Sequence, residues 1–155
     1  MNKFITQGKL KQVNATVLTP ENAGLRIILN LVGQDGKFEA PLDKLLAARW
    51  AKCRSDYKEW YSTQHNFKLG LLNSDSAVGS DTWICSALVK NKEGVVDPKA
   101  LETAIKKVGD LCLGEKASLH VSDLLTSAVP SLKQLLITHL IERGTNVYLY
   151  SEPVK

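Results

Sequence analysis

Two turns of this sequence carry residues that could do chemistry, and each follows a short apolar run. The first turn, Gly33–Pro41, contains Gln34, Asp35 and Glu39. A hydrolase needs a base or an oriented water, so Asp35 is a candidate base, and Gln34 and Glu39 could hold the water. The same residues also form an ordinary polar turn, because Asp-Gly pairs are common at turns, and we favour that interpretation.

The second turn, Ser122–Val129, separates a strand from a helix. The alternation in Leu119-His120-Val121 is typical of a strand. Beyond the turn, leucines recur at helical spacing, at Leu132, Leu135, Leu136 and Leu140. In many α/β proteins such a turn and the helix N-terminus after it bind a phosphate, and glycines let the backbone approach that phosphate. This turn contains no glycine, so it is either a phosphate site or the remnant of one.

The cysteines and histidines form no recognisable catalytic or metal-binding motif. Cys53, Cys85 and Cys112 are far apart and lack a CxxC pair, so we predict reduced thiols, mostly in the core. His120 alternates with apolar neighbours, which favours a hydrogen-bonded, half-buried side chain over a catalytic one. No Ser or Cys has a base partner at motif spacing, so nucleophilic catalysis has no support. The sequence therefore predicts no catalytic residue, no cofactor and no metal.

The composition predicts one domain, residues 1–155. The chain has 155 residues, of which 44% are hydrophobic. No run approaches the roughly 18 apolar residues that a membrane span needs, and the start of the chain lacks the apolar stretch of a signal peptide. We therefore expect a cytoplasmic protein that does not bind membranes. The net charge of +4, from 20 basic and 16 acidic residues, permits an anionic partner such as a nucleic acid without requiring one.

Basic and aromatic residues lie close together in the region that follows Pro41. The basic ones, from Lys44 to Lys58, have acids interspersed, which favours a solvated face over a nucleic-acid stripe. For the aromatic ones we favour core packing or helix docking. An exposed Tyr57 or Tyr61 could instead stack on a base or mark a partner surface.

Strand-like and helical patterns alternate along the chain. Short runs rich in apolar or β-branched residues predict strands at Phe4–Gln12, Arg26–Val32, Phe67–Leu72, Thr82–Lys90, Ala117–Val121 and Thr145–Tyr150. Helical patterns open at Pro41, at Asp97-Pro98 and near Pro130. We predict an α/β fold, with α/β/α layers around a mostly parallel sheet of about six strands. Ligands bind such sheets at the carboxyl ends of the strands, where both turns lie.

Several short motifs occur in a particular order along nearly the whole chain. They are Asn14-Ala15-Thr16, Arg26-Ile27-Ile28, Gly36, Arg49-Trp50, Tyr57-x-x-Trp60, Phe67-Lys68-Leu69-Gly70, Asp81-Thr82-Trp83-Ile84, Ala117-Ser118-Leu119-His120 and Val147-Tyr148-Leu149-Tyr150. In their order and spacing they resemble the macro domain family, in particular the bacterial type described as binding ADP-ribose. The resemblance implies a macro-domain-like fold with a mixed, mostly parallel sheet, and an ADP-ribose cleft.

At the adenine and ribose positions of the family pattern, this sequence differs. Where the family reads Gly-Asp-Ala-Thr, Asn14 replaces the Asp that recognises adenine, and an amide can accept the same hydrogen bond without a charge. The motif that shapes the distal ribose site falls on residues 33–42. Its Asn is here Gly33, and its last two glycines are Glu39 and Pro41.

The family's second phosphate loop falls on residues 122–128, where Leu125 and Ser127 replace glycines. Leu125 puts a side chain where a phosphate would approach the backbone, and Pro41 removes an N–H donor. Glu39 and Asp43 place carboxylates at the start of a helix, which would otherwise attract an anion. We therefore expect a remnant of a phosphate site. The implied ligand positions are Asn14, Gly33, Gln34, Asp35, Gly36, Phe38, Asp123, Leu125, Thr126 and Ser127.

Three functions are compatible with these residues. The favoured one is a macro-type recognition module with a remodelled ADP-ribose cleft and no catalysis, which binds a protein, a nucleic acid or an altered nucleotide. An alternative is a divergent ADP-ribose reader that binds the adenosine half through Asn14. A third is an ADP-ribosyl hydrolase with a relocated base. A cleft filled by Leu125 and Pro41 favours the first, a pocket floored by Asn14 the second, and an acid facing the ribose position the third.

Overall fold

The fold is built on one mixed β-sheet. The computed structural model describes residues 7–153, apart from the side chain of Asp75. The strands are β1 (Leu10–Val13), β2 (Arg26–Gly33), β3 (Leu72–Gly79), β4 (Thr82–Lys90), β5 (Ser118–Ser122) and β6 (Val147–Tyr150). They form a six-stranded sheet in the order β1-β6-β5-β2-β4-β3. All neighbours pair in parallel except β3 and β4, which are antiparallel. The predicted mixed, mostly parallel sheet is confirmed.

Helices connect β2 to β3, β4 to β5 and β5 to β6. They are α1 (Pro41–Arg49), α2 (Ala51–Thr63), α3 (Pro98–Glu115), α4 (Asp123–Ala128) and α5 (Leu132–His139), followed by a short 3-10 helix (Ile141–Arg143). The predicted start of α3 is confirmed, because the Asp97 side chain accepts hydrogen bonds from the N–H groups of Lys99 and Ala100. Trp50 has an extended backbone and separates α1 from α2. The sequence left open whether a turn or a helix follows the first helix, and the structure shows a helix.

The helices cover both faces of the sheet. Asn30 of β2 bonds to Asp43 of α1. Its neighbour Leu29 pairs with Cys85 of β4. The thiol of Cys85 interacts electrostatically with Cys112 of α3. Successive residues of a strand point to opposite faces, so α1 and α3 lie on opposite sides. Helix α2 packs with α1, and α5 packs with α3, which confirms the three α/β/α layers.

The central strands β2 and β4 are almost completely buried. Residues 27–33 of β2 are all buried, and β4 is buried over most of its length. Near-continuous apolar runs of this kind are typical of parallel strands covered on both faces. The carboxyl ends of these strands are therefore held firmly in place.

Two predicted strands differ most from the structure, whereas the bounds of the others agree within two residues. In place of the predicted strand Phe67–Leu72, residues 67–71 form a turn region, and β3 begins at Leu72. The Phe67 ring packs against the rings of Tyr57, Trp60 and Tyr61, so helix docking buries this apolar residue. Strand β3 can contain polar residues because it lies at the edge of the sheet. Of Phe4–Gln12, residues 4–6 lie outside the described residues, and β1 begins at Leu10.

The predicted turn at Ser122–Val129 is wrong, since this segment forms helix α4. Ser122 starts it as N-cap, because its Oγ accepts the N–H of Leu124 at 3.1 Å. The helix predicted near Pro130 begins at Leu132. Gly144, with φ 99°, ends the 3-10 helix in the left-handed conformation.

Candidate functional site at the carboxyl ends of the strands

The parallel strands place their following segments at one edge of the sheet. β1, β2, β4, β5 and β6 run in the same direction, so residues 14–25, 34–40, 91–97, 123–131 and 151–153 all begin there. This edge is where α/β sheets bind their ligands. It contains every residue that the sequence assigns to the site.

Helix α4 packs closely at this edge. Leu125 is only 7% exposed and belongs to the hydrophobic core. The helix contacts both β5 and α1. The Thr126 hydroxyl bonds to the carbonyl of Asp123, and Ser127 is exposed. The segment that the resemblance assigns to a phosphate loop is thus a packed helix.

Carboxylate side chains accept hydrogen bonds from the backbone N–H groups beside α4. The N–H of Val17 donates to Glu152 Oε2 at 2.9 Å. The N–H of Glu152 donates to Asp123 Oδ1 at 3.2 Å. These two carboxylates therefore occupy positions that an anion would need in order to bond to the same donors. Asn14, the predicted adenine-binding residue, is exposed after the end of β1.

The loop after β2 is fixed by Tyr57 of α2. The Tyr57 hydroxyl donates to the carbonyl of Gly33 and accepts the N–H of Gly36. The ammonium of Lys58 donates to the carbonyl of Gly36. Phe38 is 1% exposed and packs on the Tyr57 ring, with centroids 5.5 Å apart. These contacts hold the loop in one conformation, and Phe38 is a core residue with no surface for a ligand.

At the start of α1, Asp43 is a buried carboxylate. Its Oδ1 accepts from Asn30 Nδ2 at 2.8 Å, and its Oδ2 accepts from the N–H of Ala40 at 3.0 Å. The second bond ties the acid to the residue before the helix, as in a capping box. Burial raises the pKa of Asp43 above its usual value, although the two hydrogen bonds and Lys90 favour the charged form. Asp43 therefore satisfies the helix start, as the sequence predicts, while Glu39 is exposed.

A cavity of about 220 Å³ lies between β2, β4 and the start of α1. Its lining residues are Val32, Gly33, Asp35, Lys37, Glu39, Ala40, Asp43, Lys90 and Gly94. Three carboxyl groups and two ammonium groups can hold a water or exchange a proton here. Gly33, where the resemblance places an Asn, offers no side chain. Pro41 is exposed and does not line this cavity.

The predicted site residues thus divide into two groups. Gly33, Gln34 and Asp35 border open space at the end of β2. Asp123 and Leu125 belong to the packed region at the end of β5. Both regions border α1, which α4 contacts.

Two residues of the site could not be found from the sequence. Glu152 lies beyond the last strand, where no motif marks it, and Asn30 lies inside an apolar strand. Within residues 7–153 the Asn30 side-chain oxygen is buried without a hydrogen-bond partner, which the sequence does not signal.

His120 is fully buried, more than the half-buried state predicted for it. Its Nε2 lies 2.7 Å from Ser118 Oγ, and its Nδ1 lies 2.7 Å from Tyr150 Oη. Burial, followed by the charge of Arg26, lowers the pKa of His120 to about 3. The ring is therefore neutral at pH 7 and too weak a base to activate Ser118.

Comparison with known proteins identifies the fold. No protein-family model matches the sequence, and no curated protein matches it. A macrodomain protein from Streptomyces coelicolor has 20% sequence identity and a TM-score of 0.85, over 92% of this chain and 99% of that chain. The macrodomain of Thermus aquaticus DarG has 15% identity and a TM-score of 0.71, over 93% and 99%. Thermosipho africanus DarTG, in complex with ADP-ribose, has 15% identity and a TM-score of 0.65, over 84% of this chain and 38% of that chain.

The chain has the macro domain fold, as its sequence motifs imply. At identities of 20% and below, the likeness concerns the fold alone. None of the helices within residues 7–153 is long and apolar enough to cross a membrane.

Proposed function

We propose that this chain is a macro-fold recognition module whose phosphate cleft is occupied by its own groups, and that it binds its target without catalysis. The observation that carries the proposal is the use of the edge donors. The N–H groups of Val17, Ala40 and Leu124 donate to Glu152, Asp43 and Ser122. Its targets are a protein, a nucleic acid or a nucleotide other than ADP-ribose.

Packing and charge both oppose a diphosphate at this edge. One structural neighbour, DarTG of Thermosipho africanus, is in complex with ADP-ribose, so this ligand is the reference. Here it would have to displace the packed Leu125, and it would meet the carboxylates of Asp123 and Glu152. One like charge at 4 Å costs about 1 kcal/mol in water and more when buried. Several such costs remove most of a micromolar affinity, which is worth about 8 kcal/mol.

Calorimetric titration with ADP-ribose tests the proposal. We expect no saturable binding that depends on the cleft residue Asn14 up to about 1 mM ligand, which corresponds to about 4 kcal/mol. A Kd tighter than about 10 μM, worth roughly 7 kcal/mol, would overturn it. If such binding is lost in Asn14→Ala and kept in the control variant Gln12→Ala, the divergent ADP-ribose reader is the correct function. Both side chains are exposed.

A second candidate, an ADP-ribosyl hydrolase, is favoured by one observation. Asp35, Glu39 and Asp43 line the same cavity as Gly33, whose position corresponds to the ribose-binding Asn of the family pattern. An acid there could orient a water. The test is release of ADP-ribose from a mono-ADP-ribosylated protein. We expect no turnover, whereas turnover that is lost in Asp35→Asn and kept in the exposed control Asp81→Asn would establish the hydrolase.

A further inference from the structure

A second cavity lies on the outer side of the loop that follows β2. Its volume is about 350 Å³, and its lining residues are Gln34, Asp35, Tyr61, Gln64, Phe67 and Lys92. This is at the lower end of the roughly 300–1,000 Å³ of small-molecule sites. The residues come from the loop after β2, the end of α2 and the turn after β4, and they differ in kind from those of the edge cavity.

The aromatic ring of Tyr61 lines this cavity. A Cβ placed on Gly36 would lie 2.7–3.0 Å from three ring atoms of Tyr61, so the ring rests against the glycine backbone. Phe67 contacts the same ring edge to face, with centroids 5.6 Å apart and an angle of 80°. The ring is therefore supported on two sides, yet Tyr61 is 39% exposed. A rigid ring with an accessible surface is what a nucleobase stacks on.

Polar groups that could read a base surround this ring. Within residues 7–153 the Gln34 side-chain amide has no hydrogen-bond partner, so it can both donate and accept. Gln64 is held in place, because its Nε2 donates to the carbonyl of Tyr61 at 2.6 Å. Asp35 can accept a hydrogen bond from an exocyclic amino group of a base. Its Oδ1 already accepts the N–H of Lys37 at 3.1 Å, which fixes the carboxylate.

Lys92, in the turn after β4, also lines the cavity. Lys92 follows Asn91, whose Oδ1 accepts the N–H groups of Glu93 and Val95 at 2.9 and 3.0 Å. The turn therefore fixes the backbone of Lys92 beside the cavity, and its exposed ammonium can pair with a phosphate. The next cavity, which shares Asp35, adds the ammonium groups of Lys37 and Lys90.

From this combination we infer that the Tyr61 cavity binds a nucleotide, with the base stacked on Tyr61 and its phosphate on Lys92. An aromatic surface with amides and a lysine beside it is the chemistry of an unpaired base and its phosphate. The inference rests on the proposed recognition function and names its target class. The nucleotide is either part of a nucleic-acid single strand or a free mononucleotide. The relative affinities of the two probes below distinguish these two sources.

The test measures binding of the full chain to two probes. One is a fluorescently labelled single-stranded ten-nucleotide DNA of mixed sequence, followed by anisotropy, and the other is AMP, followed by calorimetry. We expect Tyr61→Ala to weaken binding about tenfold or more, because stacking is lost. Tyr61→Phe keeps the ring and should bind as the wild type does. Binding of AMP as tight as that of the strand identifies a mononucleotide site, and clearly tighter strand binding identifies single-stranded nucleic acid.

Matched controls separate a site from general charge. Lys92→Ala should weaken binding and flatten its salt dependence, because one phosphate contact is lost. Lys107→Ala, an exposed lysine of α3 on the other face of the sheet, should change nothing. Circular dichroism shows whether Tyr61→Ala remains folded, and if it does not, the comparison of Lys92→Ala with Lys107→Ala still tests the site.

Several results would overturn the inference. These are absence of binding of both probes at 1 mM, equal binding by Tyr61→Ala in its folded state, equal loss in Lys92→Ala and Lys107→Ala, or duplex DNA binding as tightly as the single strand. None of these results bears on the diphosphate cleft. The proposed function fails separately, if ADP-ribose binds tightly and its binding is unaffected by Tyr61→Ala.

Discussion

The carboxyl edge of the sheet has two halves that use the same kinds of residue differently. In the closed half, at the ends of β1, β6 and β5, the carboxylates of Glu152 and Asp123 accept backbone N–H groups, and Leu125 of α4 is buried. In the open half, at the ends of β2 and β4, cavities of about 220 and 350 Å³ both border Asp35.

The local sequence explains the difference. The segment after Ser122 contains no glycine and forms a helix. Its first backbone N–H groups therefore point to the N-cap, where the Ser122 side chain accepts one of them. Gly36, with φ 78°, instead allows a tight loop that Tyr57 fastens to α2 and that leaves space on both sides. A change of backbone conformation, more than a change of charge, therefore separates the packed half from the half that contains cavities.

The largest expected effect tests the packing of the closed half. Leu125→Ala should lower the free energy of unfolding by about 2–5 kcal/mol, as for other buried leucines. Urea denaturation measures the change. Leu124→Ala, on the same helix but half-buried, should cost clearly less. A loss below about 1 kcal/mol for Leu125→Ala would mean that α4 is not packed.

The next effect concerns pH and the buried histidine of the closed half. The pKa of His120 is lowered to about 3 in the folded state, from 6.5 in the unfolded chain. Between these values the unfolded chain binds a proton that the folded one does not, so stability is lost as pH falls, by at most about 1.4 kcal/mol per pH unit. Unfolding of His120→Gln between pH 7 and 4 should show a shallower slope.

His65→Gln, which changes an exposed residue, serves as the control for that slope. If the wild type and His120→Gln lose stability in parallel, His120 is not buried in a neutral state.

A smaller effect tests how the open half is held. Tyr57→Phe should cost about 1–3 kcal/mol, because the carbonyl of Gly33 and the N–H of Gly36 lose their partner. Tyr61→Phe should cost less than about 0.5 kcal/mol, since nothing within residues 7–153 bonds its hydroxyl. Urea denaturation compares the two, and equal costs would show that the loop does not depend on Tyr57.

The smallest effect returns to the closed half. Glu152→Gln keeps an acceptor for the N–H of Val17 but removes its charge, so about 0.5–1.5 kcal/mol should be lost. Thermal unfolding measures it against Glu142→Gln, an exposed control. If both variants melt alike, the Glu152 carboxylate does not hold that backbone.

The sequence predicts the sheet better than the site. Apolar β2 and β4 and the Asp97 cap predict the α/β fold, because packing and capping are encoded locally, and the order of the motifs resembles the macro domain family. Helix α4 (Asp123–Ala128) falls where the sequence predicts a turn, because six residues give too little helical periodicity. The acceptors Glu152 and Asn30 depend on tertiary contacts that no local pattern reports.

Amide hydrogen exchange of Val17, Ala40 and Leu124, resolved by NMR, tests the central claim most directly. If side chains of the protein already accept these three N–H groups, all three should be protected and should not change with 1 mM ADP-ribose. Exchange at the rate of free peptides, or strong added protection once ADP-ribose is present, would contradict it.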